Sequence, residues 1–364
     1  MSVTESTDGP LVRFALEGRP SRDATLDCGN SGTTMRLLAG AVAGLPLRVT
    51  LDGDPSLRAR PMERVASLLR AAGAEVTTTD GHAPMTVAGR ERLLGLTHRL
   101  PVSSAQLLGA TALAALGGDG ETRIKTPGPT RDHTERMLAA AGVPIHREGL
   151  VTTVRGPARP TPLSVAVPGD VSSAAPWLVA GAIHPDAEIT ISGVGLNPTR
   201  TALLDVLRRA GAEVQATISE VRGGEPVGEI VVSGGRHLSP LRIAGAETAA
   251  LIDELPLLGV LMAVTGGELR DASELRVKES DRISAMATGL RGIGASVEEL
   301  PDGWRVTPGT PRDAQIDTHG DHRIAIAFAV AGLTGVASAV ELDDPACVAV
   351  SYPTFWVDLA AVAS

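Results

Sequence analysis

The densest charge in the chain is Arg276-Val-Lys-Glu-Ser-Asp-Arg282, directly ahead of an amphipathic helical pattern. Of 33 basic residues only Lys125 and Lys278 are lysines. An ammonium can shift its pKa and trade a proton, which a guanidinium does not do. A lysine kept inside this cluster therefore points to proton transfer or charge stabilisation at Lys278, whereas Lys125, at the end of an apparent strand without acidic neighbours, reads as a solvated cation. Glu279 and Asp281 either cap the following helix or share in the chemistry. Asp253-Glu254, set in an apolar helical run over Leu251–Thr265, poses the same choice between a cap and an acid-base pair with raised pKa. Asp321-His322-Arg323 holds the matching place near the end of the chain; a lone His is commonly structural, so Arg323 ranks above His322.

Two further segments suit an anion. Asn30-Ser-Gly-Thr-Thr-Met-Arg36 and Ser103-Ser-Ala-Gln106 place small and hydroxyl residues at the starts of helices. Backbone N–H groups and the positive helix end can hold an anion there, although ordinary N-capping accounts for the same residues. Their recurrence beside single loop arginines, Arg60, Arg131, Arg282 and Arg323, favours a ligand. Guanidinium forks grip phosphate and carboxylate two-pronged, and several of them suit a substrate carrying more than one anionic group. Gly193-Val-Gly195 lacks the third glycine and the strand-to-helix context of a dinucleotide fingerprint.

The elements that must position these residues repeat along the chain. A helix closed by glycine and followed by a short β run occurs at Met62–Thr77, His133–His146, Thr199–Gln215 and Asp281–Glu298. The closing glycines, 73, 142, 211 and 294, stand 69, 69 and 83 residues apart, so the repeating unit is a whole subdomain. Each unit also carries a second helix rich in small residues, over Asn30–Leu45, Ser103–Gly118, Val171–His184, Leu251–Thr265 and Gly320–Thr334, whose composition predicts burial. Five units are countable. Leu11–Gly18 and Arg22–Cys28 read as the closing strands of a sixth whose start, roughly 60 residues, is missing. The Pro-rich stretch Arg155–Ser164 marks the boundary between two domains of three units each.

Composition excludes several classes. Aromatic residues make up 2% against 43% hydrophobic, so the cores must be built from Ala, Val and Leu. Net charge of −9 with scarce aromatics argues against a nucleic-acid surface. Two cysteines, Cys28 and Cys347, make no disulfide framework, and no Cys/His spacing suits zinc. Neither a membrane-spanning run nor a signal core is evident, so a cytoplasmic location is expected.

Asn30-Ser-Gly-Thr-Thr-Met-Arg36, Arg60-Pro-Met62, Ser103-Ser-Ala-Gln106, Asp253-Glu-Leu-Pro256, Arg276–Arg282, Asp321-His-Arg323 and Ser351-Tyr-Pro353 together resemble the 5-enolpyruvylshikimate-3-phosphate synthase (3-phosphoshikimate 1-carboxyvinyltransferase) family, in order from about Leu11 to Ser364. The resemblance implies an α/β fold: a two-domain inside-out α/β barrel of βαβαββ-type repeats, with an incomplete first repeat. The N-terminal domain would be 1–160, about two and a half repeats, and the C-terminal domain 161–364, three repeats, with a cleft that closes on substrate. It also implies transfer of the enolpyruvyl group of phosphoenolpyruvate to the 5-hydroxyl of shikimate 3-phosphate, in the shikimate route to chorismate and aromatic amino acids. Ser104, Gln106 and Arg131, joined by Ser103, would hold shikimate 3-phosphate. Gly32, Arg60, Gln106, Arg282 and Arg323 would hold phosphoenolpyruvate, with Asn30 among the binding residues. Asp253 would take the hydroxyl proton, Glu279 would deliver one to the methylene carbon, and Lys278 would contact the reacting centre. No cofactor, metal, nucleic-acid or membrane partner is implied, and a monomer is expected.

Three departures stand out. A family Lys-Ser…Arg segment that contacts both substrates has no counterpart; a second family lysine falls at Val350; and a family Asn falls at Glu274. Two other readings are an impaired or non-catalytic remnant of the family and the related UDP-N-acetylglucosamine enolpyruvyl transferase, whose loop cysteine matches neither Cys28 nor Cys347.

Overall fold

The computed structural model describes residues 23–234 and 237–363, together with the backbone of 2–8 and 11–17. Gly18 and Arg22, which bound two of the expected closing strands, lie outside the described residues. The chain divides into two compact units, Met1–Ser164 and Val165–Ser364, each with its own hydrophobic core.

The first unit opens with an antiparallel pair, β1 (Ser2–Asp8) and β2 (Leu11–Glu17). There follow β3 (Ala24–Asp27), α1 (Gly32–Ala43), β4 (Arg48–Asp52), the single turn α2 (Pro55–Arg58), α3 (Glu63–Ala71), β5 (Glu75–Thr79) and β6 (His82–Ala88). β3 runs parallel to β4, and the β5–β6 hairpin adds antiparallel, giving the order β3-β4-β6-β5. The next repeat has β7 (Leu93–Leu94), β8 (Thr97–Arg99), α4 (Ala105–Ala115), β9 (Gly118–Lys125), α5 (His133–Ala140), β10 (Ile145–Glu148) and β11 (Val151–Gly156). It repeats the pattern: β8 parallel to β9, then the β10–β11 hairpin antiparallel. β3 is therefore the opening strand of the first full repeat, not the closing strand of a preceding one. Its register against β4 is the counterpart of β8 on β9.

The second unit begins with α6 (Val171–Ile183), β12 (Glu188–Gly195), α7 (Ala202–Ala210), β13 (Glu213–Arg222) and β14 (Glu225–Ser233), ordered β12-β14-β13. Next come β15 (Leu241–Ile243), the short α8 (Ala246–Ala250), α9 (Leu255–Thr265), β16 (Gly267–Leu269), α10 (Arg282–Gly292), β17 (Ser296–Leu300) and β18 (Gly303–Thr307), ordered β15-β16-β18-β17. β19 (Asp313–Ile316), α11 (His322–Leu333), the parallel β20 (Ala339–Leu342) and α12 (Phe355–Val362) end the chain. One expectation changes here: the fourth buried helix begins at Leu255, not Leu251. Residues 251–254 form a turn, and Pro256 sits in the first helical turn, where its missing N–H costs nothing. Asp253 and Glu254 thus stand at a helix entrance rather than inside a helix.

Glycines 73, 142, 211 and 294, which close α3, α5, α7 and α10, have φ of +104°, +78°, +106° and +108°. This left-handed turn lets each helix reverse into a hairpin at little cost. The small-residue helices α4, α6, α9 and α11 bury most of their residues, whereas α1 buries half. In the second unit α6, α9 and α11 pack on one another, burying almost every residue of α6 and α9. In the first unit α1 lies so close to α4 that a Cβ at Gly40 would fall 2.1 Å from the Ala110 carbonyl oxygen. Only Gly at position 40, facing a residue as small as Ala110, permits such an approach, so the scarcity of aromatics follows from helices packed backbone to backbone. The aromatics present are concentrated in the second unit, where Phe355 of α12 stacks on Trp177 of α6 with ring centroids 5.5 Å apart.

Candidate active-site residues of the two units

In the first unit the residues ahead of α1 and α4 form a cradle. Ser31 caps α1, accepting from the Thr34 amide at 3.1 Å, and Ser104 caps α4, accepting from the Leu107 amide at 3.3 Å. Both hydroxyls therefore do the capping that their sequence positions allowed. Asn30 bridges outward: its Nδ2 donates to Asp54 Oδ2 at 2.7 Å, and its Oδ1 accepts from Arg60 Nη2 at 2.8 Å. Arg36, not singled out from the sequence, completes the cradle. Its Nη1 donates to Gln106 Oε1 at 2.7 Å, and Gln106 Nε2 then donates to Thr33 Oγ1 at 2.6 Å, which fixes the amide's orientation. A Cβ at Gly32 would meet Arg36 Nη1 at 2.6 Å and Arg60 Nη1 at 3.5 Å, so two guanidiniums converge over this glycine. Burial, then the charges of Arg60 and Arg64, pushes the Arg36 pKa below its usual value. Like charges gathered this closely are costly, Asp54 offsets Arg60 in part, and an anion seated there would relieve the cost further. Ser103 lies against Gly128, whose added Cβ would meet its hydroxyl at 2.8 Å, while Arg131 is half-buried just before α5.

In the second unit the Arg276–Arg282 segment is a short 3-10 turn, Ser273–Val277, running into α10. Asp281 caps α10 through the Ser284 amide at 3.1 Å and is itself gripped by Arg276 Nη1 at 2.7 Å. Arg282 is 2% exposed. Its Nε and Nη2 fork onto Asp321 at 2.8 and 3.2 Å, and Nη2 also reaches Glu279 Oε2 at 2.6 Å. Asp321 is fully buried and caps α11 through the Arg323 amide at 2.9 Å. Burial alone would raise its pKa, but the bond and charge of Arg282 outweigh that, holding the carboxyl below the usual range. This pair locks the entrance of α11 to that of α10. Lys278 Nζ donates to Glu274 Oε1 at 2.8 Å, one turn back. Burial, then the Arg323 charge, pushes His322 down, favouring its neutral form.

Asp253 and Glu254 belong to a second network of this unit. Glu254, 3% exposed, accepts from the Ser172 hydroxyl at the start of α6. Burial pushes its pKa up, although the Ser172 bond opposes the shift. Ser172 Oγ also accepts from Arg200 Nη2 at 2.7 Å, and Arg200 Nη1 lies 3.9 Å from Asp253 Oδ2. Arg200 and Ser172 escaped sequence reasoning because nothing local marks them: the partners of Ser172 are 28 and 82 positions away. Among the described residues no three His, Cys, Asp or Glu side chains gather to hold a metal ion, and no helix is long and apolar enough to cross a membrane.

Comparison with known proteins adds a name to this arrangement. The sequence profile of the family described as EPSP synthase (3-phosphoshikimate 1-carboxyvinyltransferase) matches residues 12–359. A 3-phosphoshikimate 1-carboxyvinyltransferase of Acidithiobacillus ferrooxidans is 46% identical over 342 residues, covering 93% of this chain and 78% of the relative. One from a Roseiflexus species is 48% identical, covering 100% and 86%. Among solved structures, EPSP synthase from Acinetobacter baumannii superposes with a TM-score of 0.88 at 37% identity, covering 100% of this chain and 85% of that one. The enolpyruvyl transferase NikO from Streptomyces tendae, at 19% identity and a TM-score of 0.66 over 89% and 74%, shares the fold. Matched along nearly its whole length in sequence and in structure, the chain belongs to the EPSP synthase family.

Proposed function

We infer that the protein transfers the enolpyruvyl group of phosphoenolpyruvate to the 5-hydroxyl of shikimate 3-phosphate and releases phosphate, a step towards chorismate and the aromatic amino acids. The observation that carries this reading is the family match over residues 12–359, joined to a guanidinium cradle that calls for an anion. Both substrates are anionic. The two cysteines support this reaction over transfer to UDP-N-acetylglucosamine: Cys28 and Cys347 are buried, and burial pushes both thiols up, unlike an exposed reactive loop cysteine.

On this reading Gly32, Arg60, Gln106, Arg282 and Arg323 hold phosphoenolpyruvate, and Ser103, Ser104, Gln106 and Arg131 hold shikimate 3-phosphate, with Asn30 keeping Arg60 in place. Asp253 accepts the 5-hydroxyl proton as the oxygen bonds to C2 of phosphoenolpyruvate. Glu279 gives a proton to C3, forming a tetrahedral ketal, and Lys278 stabilises charge at the reacting centre. Loss of a proton from the new methyl group and departure of phosphate restore the double bond. Fixed charges and proton transfer supply the rate. Arg282, already paired with Asp321 and Glu279, would serve as a preorganised cation rather than a mobile clamp. The domain assignment 1–160 and 161–364, a monomeric state and a cytoplasmic location belong to the same proposal.

Phosphate release measured with each substrate alone and with both tests the reaction. Release is expected only when both are present. Release from phosphoenolpyruvate alone, or none with both substrates, contradicts it.

A further inference from the structure

Arg200 lies in the loop between β12 and α7, and its side chain is 9% exposed. Its Nη2 donates to Asp170 Oδ1 at 2.9 Å and to Ser172 Oγ at 2.7 Å, and its Nη1 stands 3.9 Å from Asp253 Oδ2. Ser172 in turn donates to Glu254, the neighbour of Asp253. One guanidinium and one hydroxyl therefore tie the entrance of α6 to the turn that carries Asp253. We propose that Arg200 is a positioning residue for Asp253: a fixed cation that orients this turn and keeps the Asp253 carboxyl ionised, ready to accept a proton. The inference rests on the reading of Asp253 as the proton acceptor.

At 3.9 Å the Arg200 guanidinium acts on the Asp253 carboxylate as a nearby positive charge. A guanidinium does not titrate in proteins, so its charge is present at every working pH. An opposite charge at this range favours the ionised carboxylate. Further charged groups around this network act in both directions. Asp170 at the cap of α6 competes for Arg200, and Glu254 repels Asp253, burial having shifted Glu254 towards its neutral form. Arg323 at the start of α11 adds positive charge near both Asp170 and Glu254.

The test is a 13C NMR titration of the Asp253 carboxyl in the full chain, assigned with Asp253→Asn, in wild type and in Arg200→Gln. The variant should raise the Asp253 pKa by about one unit or more, roughly tenfold or more in ionisation constant. The acid limb of kcat against pH at saturating substrates should rise with it, and Arg200→Lys, which keeps a charge, should recover part of the shift. A loss of turnover with the titration and the acid limb both unmoved would overturn the proposal and leave Arg200 a structural tie. Should Arg200→Gln fail to fold, Asp170→Asn keeps the cap and releases the cation from its competitor. The Asp253 pKa should then fall, and an unmoved value overturns the proposal equally. The titration needs no turnover, so an inactive wild type whose Asp253 still responds to Arg200 defeats the catalytic reading and not the electrostatic link.

Discussion

Arg282 and Asp321 show how residues that look catalytic can also be structural. The pair is buried, and losing either partner leaves the other with weaker company: Glu279 alone for Arg282, and the Ser280 hydroxyl and Arg323 amide for Asp321. Removing one partner of a buried pair costs about 3–5 kcal/mol, so Asp321→Asn should lower the urea unfolding free energy at pH 7 by that order. The sign with pH follows from the direction of the shift. The folded Asp321 pKa is depressed, so its contribution is full above the unfolded value of about 3.9 and is lost as pH falls through the lower folded value. The gap between wild type and Asp321→Asn should therefore narrow only in acid; a gap that stayed constant down to about pH 2 would contradict this account. Lys278 stands differently. It is anchored by Glu274, the position where the family pattern has Asn, and an arginine there keeps the charge but not the compact, titratable ammonium. Lys278→Arg should lower kcat by at least roughly 100-fold, and turnover within about threefold of wild type would remove its special role. Most of these side chains were legible as candidates because motif residues cluster locally, as in 276–282. Arg36 and Arg200 were not, since they earn their roles through contacts made only after folding, Arg36 with a residue 70 positions away.

At the scale of elements, glycine spacing and small-residue helices carried the architecture. The left-handed closing glycines, the buried α4, α6, α9 and α11, and the half-buried α1 lie where period and composition put them. Two boundaries did not. The apolar run at Leu251 continues the helical period but is a turn until Pro256 allows α9 to start, and β3 could be assigned only once its parallel register with β4 was seen. Strand partners are long-range facts that local pattern does not encode. The α1–α4 contact makes a strict demand on residue size. Gly40→Ala would drive a methyl group into the Ala110 backbone and should destabilise by about 1–3 kcal/mol. Gly332→Ala in α11, whose nearest atom would be Val340 Cγ2 at 3.5 Å, should be neutral or slightly stabilising by chemical denaturation. Equal effects would refute the close-packing account.

At the scale of the whole molecule, each of the two units has its own core, and all three tryptophans, 177, 304 and 356, fall in the second. Tryptophan fluorescence therefore reports one unit, while far-UV circular dichroism reports both. Gly40→Ala should shift part of the circular dichroism transition and leave the fluorescence midpoint in place; coincident shifts would show that the units unfold as one. On the proposed function both units contribute: Gly32, Arg36 and Arg60 gather in the first, and Asp253, Lys278, Glu279, Arg282 and Arg323 lie in the second. The most direct measurement of the central claim is 13C NMR of a mixture of enzyme, shikimate 3-phosphate and phosphoenolpyruvate labelled at C2. The labelled carbon should move into an enolpyruvyl ether of shikimate 3-phosphate, one phosphate appearing for each ether formed. A label that stays in phosphoenolpyruvate, or emerges as pyruvate without an ether, would contradict the account.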